Sequence, residues 1–90
     1  EDTPRFKVTL GIMPDYTYEG EGVHVDGVTD GKPASVAGVQ KGDVILGLGE
    51  HPVNDMQGYM KALGAFKKGD STQLKVKRGG ETKVLPVTFQ

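Results

Sequence analysis

The stretch Gly31-Lys32-Pro33-Ala34-Ser35-Val36-Ala37-Gly38-Val39-Gln40-Lys41-Gly42-Asp43-Val44-Ile45 carries the most information in the chain. Pro33 suits the first position of a helix, where no N–H is required and φ is already set. Ala34 and Ala37 are small enough to hold a single helical turn close to a sheet. Gly38 ends the turn, because a residue without Cβ can leave in the left-handed conformation. Val39 to Gly42 turns the chain a second time. Asp43 can accept hydrogen bonds from turn N–H groups before the apolar strand Val44-Ile45-Leu46-Gly47-Leu48 begins.

On the N-terminal side, Thr29 to Lys32 is the turn that leads into this helix. Val23-His24-Val25-Asp26-Gly27-Val28 alternates, with Val23 and Val25 inward, and reads as a strand. Asp15 to Gly22 is polar and glycine-bearing and reads as a mobile loop. Arg5 to Ile12 alternates again, with Phe6, Val8 and Leu10 on one side, and predicts a half-buried strand. Pro14 stops regular pairing soon after.

On the C-terminal side, Gly49 to Pro52 turns the chain back. Asn54 or Asp55 caps a helix whose apolar stripe is Met56, Tyr59, Met60 and Leu63. Gly58 and Gly64 weaken it, and Lys67-Lys68-Gly69-Asp70 ends it, with the lysines complementing the helix C-terminus. Leu74 to Arg78 and Thr82 to Val87 are strands joined at Gly79-Gly80, a two-residue hairpin signal. The count is five or six strands, one short helix and one longer helix.

Ninety residues make one domain with a small core. No apolar run is long enough to cross a bilayer, and Glu1-Asp2-Thr3-Pro4 is not a signal-peptide start. The net charge of −1 argues against a nucleic-acid footprint. Acidic residues gather in the first thirty positions, and Lys61, Lys67, Lys68, Lys75, Lys77, Arg78 and Lys83 make the remainder basic; solvated faces account for this most simply. The absence of cysteine excludes disulfides, thiolate metal sites and a cysteine nucleophile.

No catalytic constellation emerges. Ser35 and Ser71 lie in no nucleophile elbow. His24 and Asp26 share a strand face and could converge on an ion. A zinc site wants three or four protein ligands, however, and no spacing selects His51, Glu19 or Glu21 as the others. The simpler reading is two polar residues facing solvent. Gly27 to Lys32 fails as a phosphate loop, because its glycine spacing is short and Pro33 stands where a Ser or Thr must hold magnesium.

The opening stretch resembles the motif G-x-P-A-x-x-A-G-Φ-x-x-G-D-x-I of PDZ domains. Pro33, Ala34, Ala37, Gly38, Gly42, Asp43 and Ile45 all match at fixed spacing. The resemblance covers nearly the whole chain and implies one PDZ domain over residues 1–90. The implied fold class is α+β, mainly β: a five- to six-stranded, partly open barrel capped by one short and one longer helix. The entry strand first and the long hairpin last resemble the permuted arrangement of bacterial envelope proteases. LGIMPDY, DMQGYMKAL and LPVTF look most like PDZ modules of bacterial zinc aminopeptidase-type metallopeptidases, whose zinc ligands would lie outside these residues. A periplasmic or extracellular location follows from that resemblance alone.

The resemblance also implies a function: binding the C-terminus or an extended segment of a peptide or protein. The ligand carboxylate would sit on the N–H groups of Leu10, Gly11 and Ile12. Met13, Met56, Met60 and Leu63 would form the groove, and Leu10, Ile12, Met60 and Leu63 the pocket for an apolar last side chain. Arg5 or Lys7 could add a water-bridged charge. Pro14 departs from the pattern, because it falls where the edge strand should donate an N–H to the ligand backbone. The alternative is a structural or regulatory domain docked on its own catalytic domain, with the groove closed by Tyr16, Tyr18 or the 15–22 loop. In either case the domain itself is no enzyme, needs no cofactor, binds no nucleic acid, inserts in no membrane and is monomeric when isolated.

Overall fold

The computed structural model describes residues 8–89. The elements follow in the order β1 (Ile12–Pro14), β2 (Val23–Val28), α1 (Pro33–Ala37), β3 (Val44–Leu48), β4 (His51–Pro52), α2 (Met56–Leu63), β5 (Ser71–Arg78) and β6 (Glu81–Thr88). The six strands form one antiparallel sheet in the order β1-β2-β3-β5-β6, with β4 paired to β3. The sheet is not closed: among the described residues β1 and β6 are its outer strands.

On β2 and β5 the core follows from strand parity, and on β3 a register shift between Ile45 and Gly47 lets both Ile45 and Leu48 face inward. Val25, Ile45, Leu48, Leu74 and Val76 lose all contact with solvent, joined by Leu10, Val53 and Phe89. Lys75 and Lys77 alternate outward on β5. The β5–β6 hairpin pairs Arg78 with Glu81 across Gly79 and Gly80. Both glycines have positive φ (58° and 92°), as the tight turn between right-twisted strands requires. Pro86 is tolerated in β6 because that strand is at the edge.

In α1, Pro33 opens the helix and Gly38 closes it at φ 101°. The Gly38 N–H donates to the Ala34 and Ser35 carbonyls. Asp43 does more than cap its turn. Its Oδ2 accepts the Gln40 N–H at 3.0 Å, and both its oxygens are held by Arg78, whose Nε and Nη2 lie at 2.8 and 2.7 Å. Asp43 is 1% exposed, and Arg78 also reaches the Gly38 carbonyl at 2.9 Å. Burial works to raise the Asp43 carboxyl, but the bonds from Arg78 and Gln40 and the guanidinium charge outweigh it, so the group lies below the ordinary carboxylate range. Arg78 therefore belongs to the framework rather than to a basic face.

Four local expectations change. The strand expected over Arg5 to Ile12 lies partly outside the described residues. Within them, residues 8–11 form no strand and pairing begins at Ile12, since Gly11 at φ 78° breaks the extended path. His51 and Pro52 form a two-residue strand on β3 rather than a plain turn. Helix α2 ends at Leu63, before the lysine pair; Lys61 is the cation of its last turn, while Lys67 donates its N–H to Asp70 in the following turn. The Asp15–Gly22 loop is pinned rather than loose. Asp15 Oδ1 accepts the Thr17 N–H and hydroxyl, its Oδ2 lies 3.1 Å from His24 Nδ1, and the Gly22 N–H donates to the Asn54 carbonyl.

Candidate functional site

A groove of about 320 Å³ runs between β1 and α2. Ile12 and Pro14 line one wall, and Met56, Tyr59, Met60 and Leu63 line the other, with Val8, Thr9 and Tyr16 completing it. Asp55 starts the helical wall by accepting the Gly58 N–H at 2.8 Å. Tyr59 and Leu63 root that wall in the core, whereas Met60 is exposed at the lip. Burial, with the nearby Tyr16 phenol, pushes the Tyr59 phenol up, so it stays neutral throughout the physiological range.

The backbone of β1 is oriented by three bonds on its inner side. The Leu10 carbonyl accepts the Ala34 N–H at 2.9 Å, and the Gly11 carbonyl accepts the Thr29 N–H at 2.8 Å. A trans peptide plane points its C=O and the following N–H in opposite directions. The N–H groups of Gly11 and Ile12 are therefore turned outward, away from α1 and β2. Further along, Asp15 donates its N–H to the His24 carbonyl at 2.9 Å. With Gly11 and Asp15 both bonded toward β2, the alternation of an antiparallel ladder sends the backbone groups of Ile12 and Pro14 to the open edge. Pro14 thus removes no bond from the sheet itself. What it removes is one donor from the outer edge, while its carbonyl and that of Ile12 remain as acceptors there.

The predicted residues separate. Ile12, Met56, Met60 and Leu63 do line the groove. Leu10 does not: it is 0% exposed in the core, so its backbone but not its side chain can belong to the site. Met13 does not line it either. Strand parity places it on the opposite face, 54% exposed, with its methyl lying over Gly27 of β2. Pro14, which shares parity with Ile12, takes the place assigned to Met13. Thr9, Val8 and Tyr59 were missed as groove residues, although Val8 and Tyr59 carried a core signal. Arg5 and Lys7 lie outside the described residues; Lys32 is the cation beside the loop, its stem packed against Gly11.

The neighbouring loop leaves the groove open. Tyr16 stands at its end, 76% exposed, and Tyr18 stacks on the His24 ring with centroids 5.1 Å apart instead of entering. Bonds from the Thr17 hydroxyl and N–H, with the His24 ring, hold the Asp15 carboxyl below its ordinary range. His24 is thus taken up by this loop. Among the described residues no three His, Asp or Glu side chains gather as a metal site.

The PDZ domain family model matches residues 8–89. The chain belongs to the PDZ family. Its relatives include the periplasmic pH-dependent serine endoprotease DegQ of Escherichia coli K12, 40% identical over 63 residues. That match covers 70% of this chain and 13% of DegQ. Among solved structures, an aminopeptidase N family protein from Idiomarina loihiensis superposes with a TM-score of 0.82 at 25% identity, covering 93% of this chain and 14% of that one. The HtrA3 PDZ domain bound to a phage-derived ligand (FGRWV) superposes with a TM-score of 0.74 at 19% identity, covering 93% and 86% respectively. This PDZ domain is a binding module rather than a catalyst, related to domains carried by peptidases and spanning a small fraction of their length.

Proposed function

We propose that this PDZ domain receives the C-terminal segment of a peptide or protein as an added strand on the open edge of β1. Strand addition is the mode established for PDZ domains generally. The observation that carries it here is the pair of inward carbonyl bonds, Leu10 to Ala34 and Gly11 to Thr29, which turn the Gly11 and Ile12 N–H groups outward. The Ile12 N–H, with the Gly11 N–H beside it donating to the Thr9 hydroxyl at 3.1 Å, forms a small anion cradle. The wall beside it is apolar, formed by Ile12, Met60 and Leu63, and suits an aliphatic last residue. Methionines at two of the helical positions adapt their shape and favour loose selectivity. The missing donor at Pro14 limits the grip to the last residues of the ligand.

The parent protein is, in this reading, a peptidase of the bacterial envelope or exterior, and the domain presents chain ends or gates access to its catalytic domain. The same Pro14 supports a second reading, in which the groove takes a segment of its own parent instead of a free peptide. Calorimetric titration of residues 1–90 with apolar-ended pentapeptides decides between them: the first reading expects saturable binding that weakens at least about tenfold on C-terminal amidation, the second expects none.

A further inference from the structure

We infer that Thr9 is the side-chain member of the carboxylate cradle, passing the Gly11 N–H on to the ligand through its own hydroxyl. The inference rests on the C-terminal reading of the groove given above. Thr9 Oγ1 accepts the Gly11 N–H at 3.1 Å, so one of the two outward donors is already covered. A ligand carboxylate cannot meet that N–H directly without displacing the hydroxyl. It has no need to. A hydroxyl accepts on its lone pairs and donates through one O–H. With one lone pair taken by Gly11, the O–H points elsewhere than at that N–H and can rotate toward a ligand. Thr9 is exposed and lines the groove beside Ile12 and Leu63, and among the described residues its O–H donates to no acceptor. A carboxylate oxygen beyond it would receive a bond strengthened by the Gly11 N–H behind it, as in other hydrogen-bond chains. The other oxygen would take the Ile12 N–H. Recognition then uses a side chain beside the backbone donor of Ile12, and this sets the carboxylate one hydrogen bond farther from Gly11.

The experiment compares the whole 1–90 domain with Thr9→Ser and Thr9→Val. Each is titrated with a pool of acetylated pentapeptides ending in Val, Leu, Ile, Met or Phe, as free acids and as amides. Serine keeps the hydroxyl and should keep both the affinity and the preference for free acid. Valine is nearly isosteric, covers the Gly11 N–H with a methyl and cannot donate. Loss of one charge-assisted hydrogen bond predicts at least about a tenfold fall in free-acid affinity. Amide binding, which lacks the charge-assisted bond, should fall less, so the acid-to-amide ratio shrinks. Thermal melting should move little, because Thr9 is a surface residue. Wild-type affinity and ratio in Thr9→Val would overturn the role of Thr9 while leaving C-terminal recognition standing. Tighter binding by Thr9→Val would overturn it too, showing a hydroxyl that competes with the ligand. A wild-type domain that treats acids and amides alike would overturn the C-terminal reading and this inference together.

Discussion

The Leu10 carbonyl accepts the Ala34 N–H at 2.9 Å, tying the loop before β1 to the first turn of α1. This bond gives the Pro33–Ala37 motif its bearing on the site. The motif touches no part of the groove, yet its backbone donor fixes the peptide plane whose other side presents the Gly11 N–H. Orientation of the proposed cradle is thus built into the framework.

Gly11 should be irreplaceable for two reasons that act together. Its φ is 78°, and a Cβ there would lie 2.3 Å from Lys32 Cβ. Gly11→Ala is expected to lose about 1–2 kcal/mol from the left-handed conformation alone. Urea unfolding checks this. Lys32 must also shift, so peptide affinity should fall further than stability does, and Lys32→Gly in the same background, which removes the clashing Cβ, should recover part of the stability.

Pro14 sets the length of the grip. Pro14→Val restores an N–H on the open edge, on the side away from the β2 pairing of Met13 with Gly27 and the Asp15 bond to His24. One added backbone hydrogen bond, net about 0.5–1.5 kcal/mol, predicts roughly two- to tenfold tighter binding. The gain should appear for pentapeptides and vanish for dipeptides, which do not reach the new donor. Titrations across peptide length measure it.

The helical wall divides into support and contact. Leu63 is buried among core residues, so Leu63→Ala should lower stability by about 2–5 kcal/mol. Met60 is exposed at the lip. Met60→Lys should change stability by no more than about 0.5 kcal/mol while weakening an apolar C-terminus several-fold. Thermal melts and peptide titrations on the two variants separate these effects.

The Asp43–Arg78 pair predicts acid sensitivity with a definite sign. The folded Asp43 carboxyl lies below its ordinary value of 3.8, chiefly because the Arg78 bonds overcome burial. A carboxyl lowered on folding contributes stability that is complete above its unfolded value and lost as pH falls through the folded one. Unfolding free energy should therefore decline as pH drops below about 4. Arg78→Met leaves the carboxylate buried with only the Gln40 N–H, and should cost about 3 kcal/mol at neutral pH. It should also flatten the acid decline, as denaturant titrations at neutral and acidic pH would show.

Much of this was legible in the sequence because it depends on local rules. Pro33 fixes its own φ at the start of a helix, and Gly38 and Gly79-Gly80 supply the positive φ that a helix exit and a tight hairpin turn require. Strand alternation put Val8, Leu10, Val23 and Val25 inward, and all four are buried. The errors came where position depends on long-range contacts. The resemblance assigns Leu10 to the pocket and Met13 to its wall, but β1 begins only at Ile12, so the Leu10 side chain falls into the core and Met13 lies one residue out of phase with the groove. Arg78 read as a surface cation because its partner Asp43 lies thirty-five residues away. Thr9 gave no signal beyond alternation, since its bond to Gly11 exists only once the loop has turned.

The most direct measurement is the affinity of the wild-type domain for one pool of apolar-ended pentapeptides, as free acids and as C-terminal amides, by calorimetry at low salt. The account predicts saturable binding of the acids and at least about tenfold weaker binding of the amides, the loss of one charge-assisted contact. Equal affinities, or no binding of either, would contradict it.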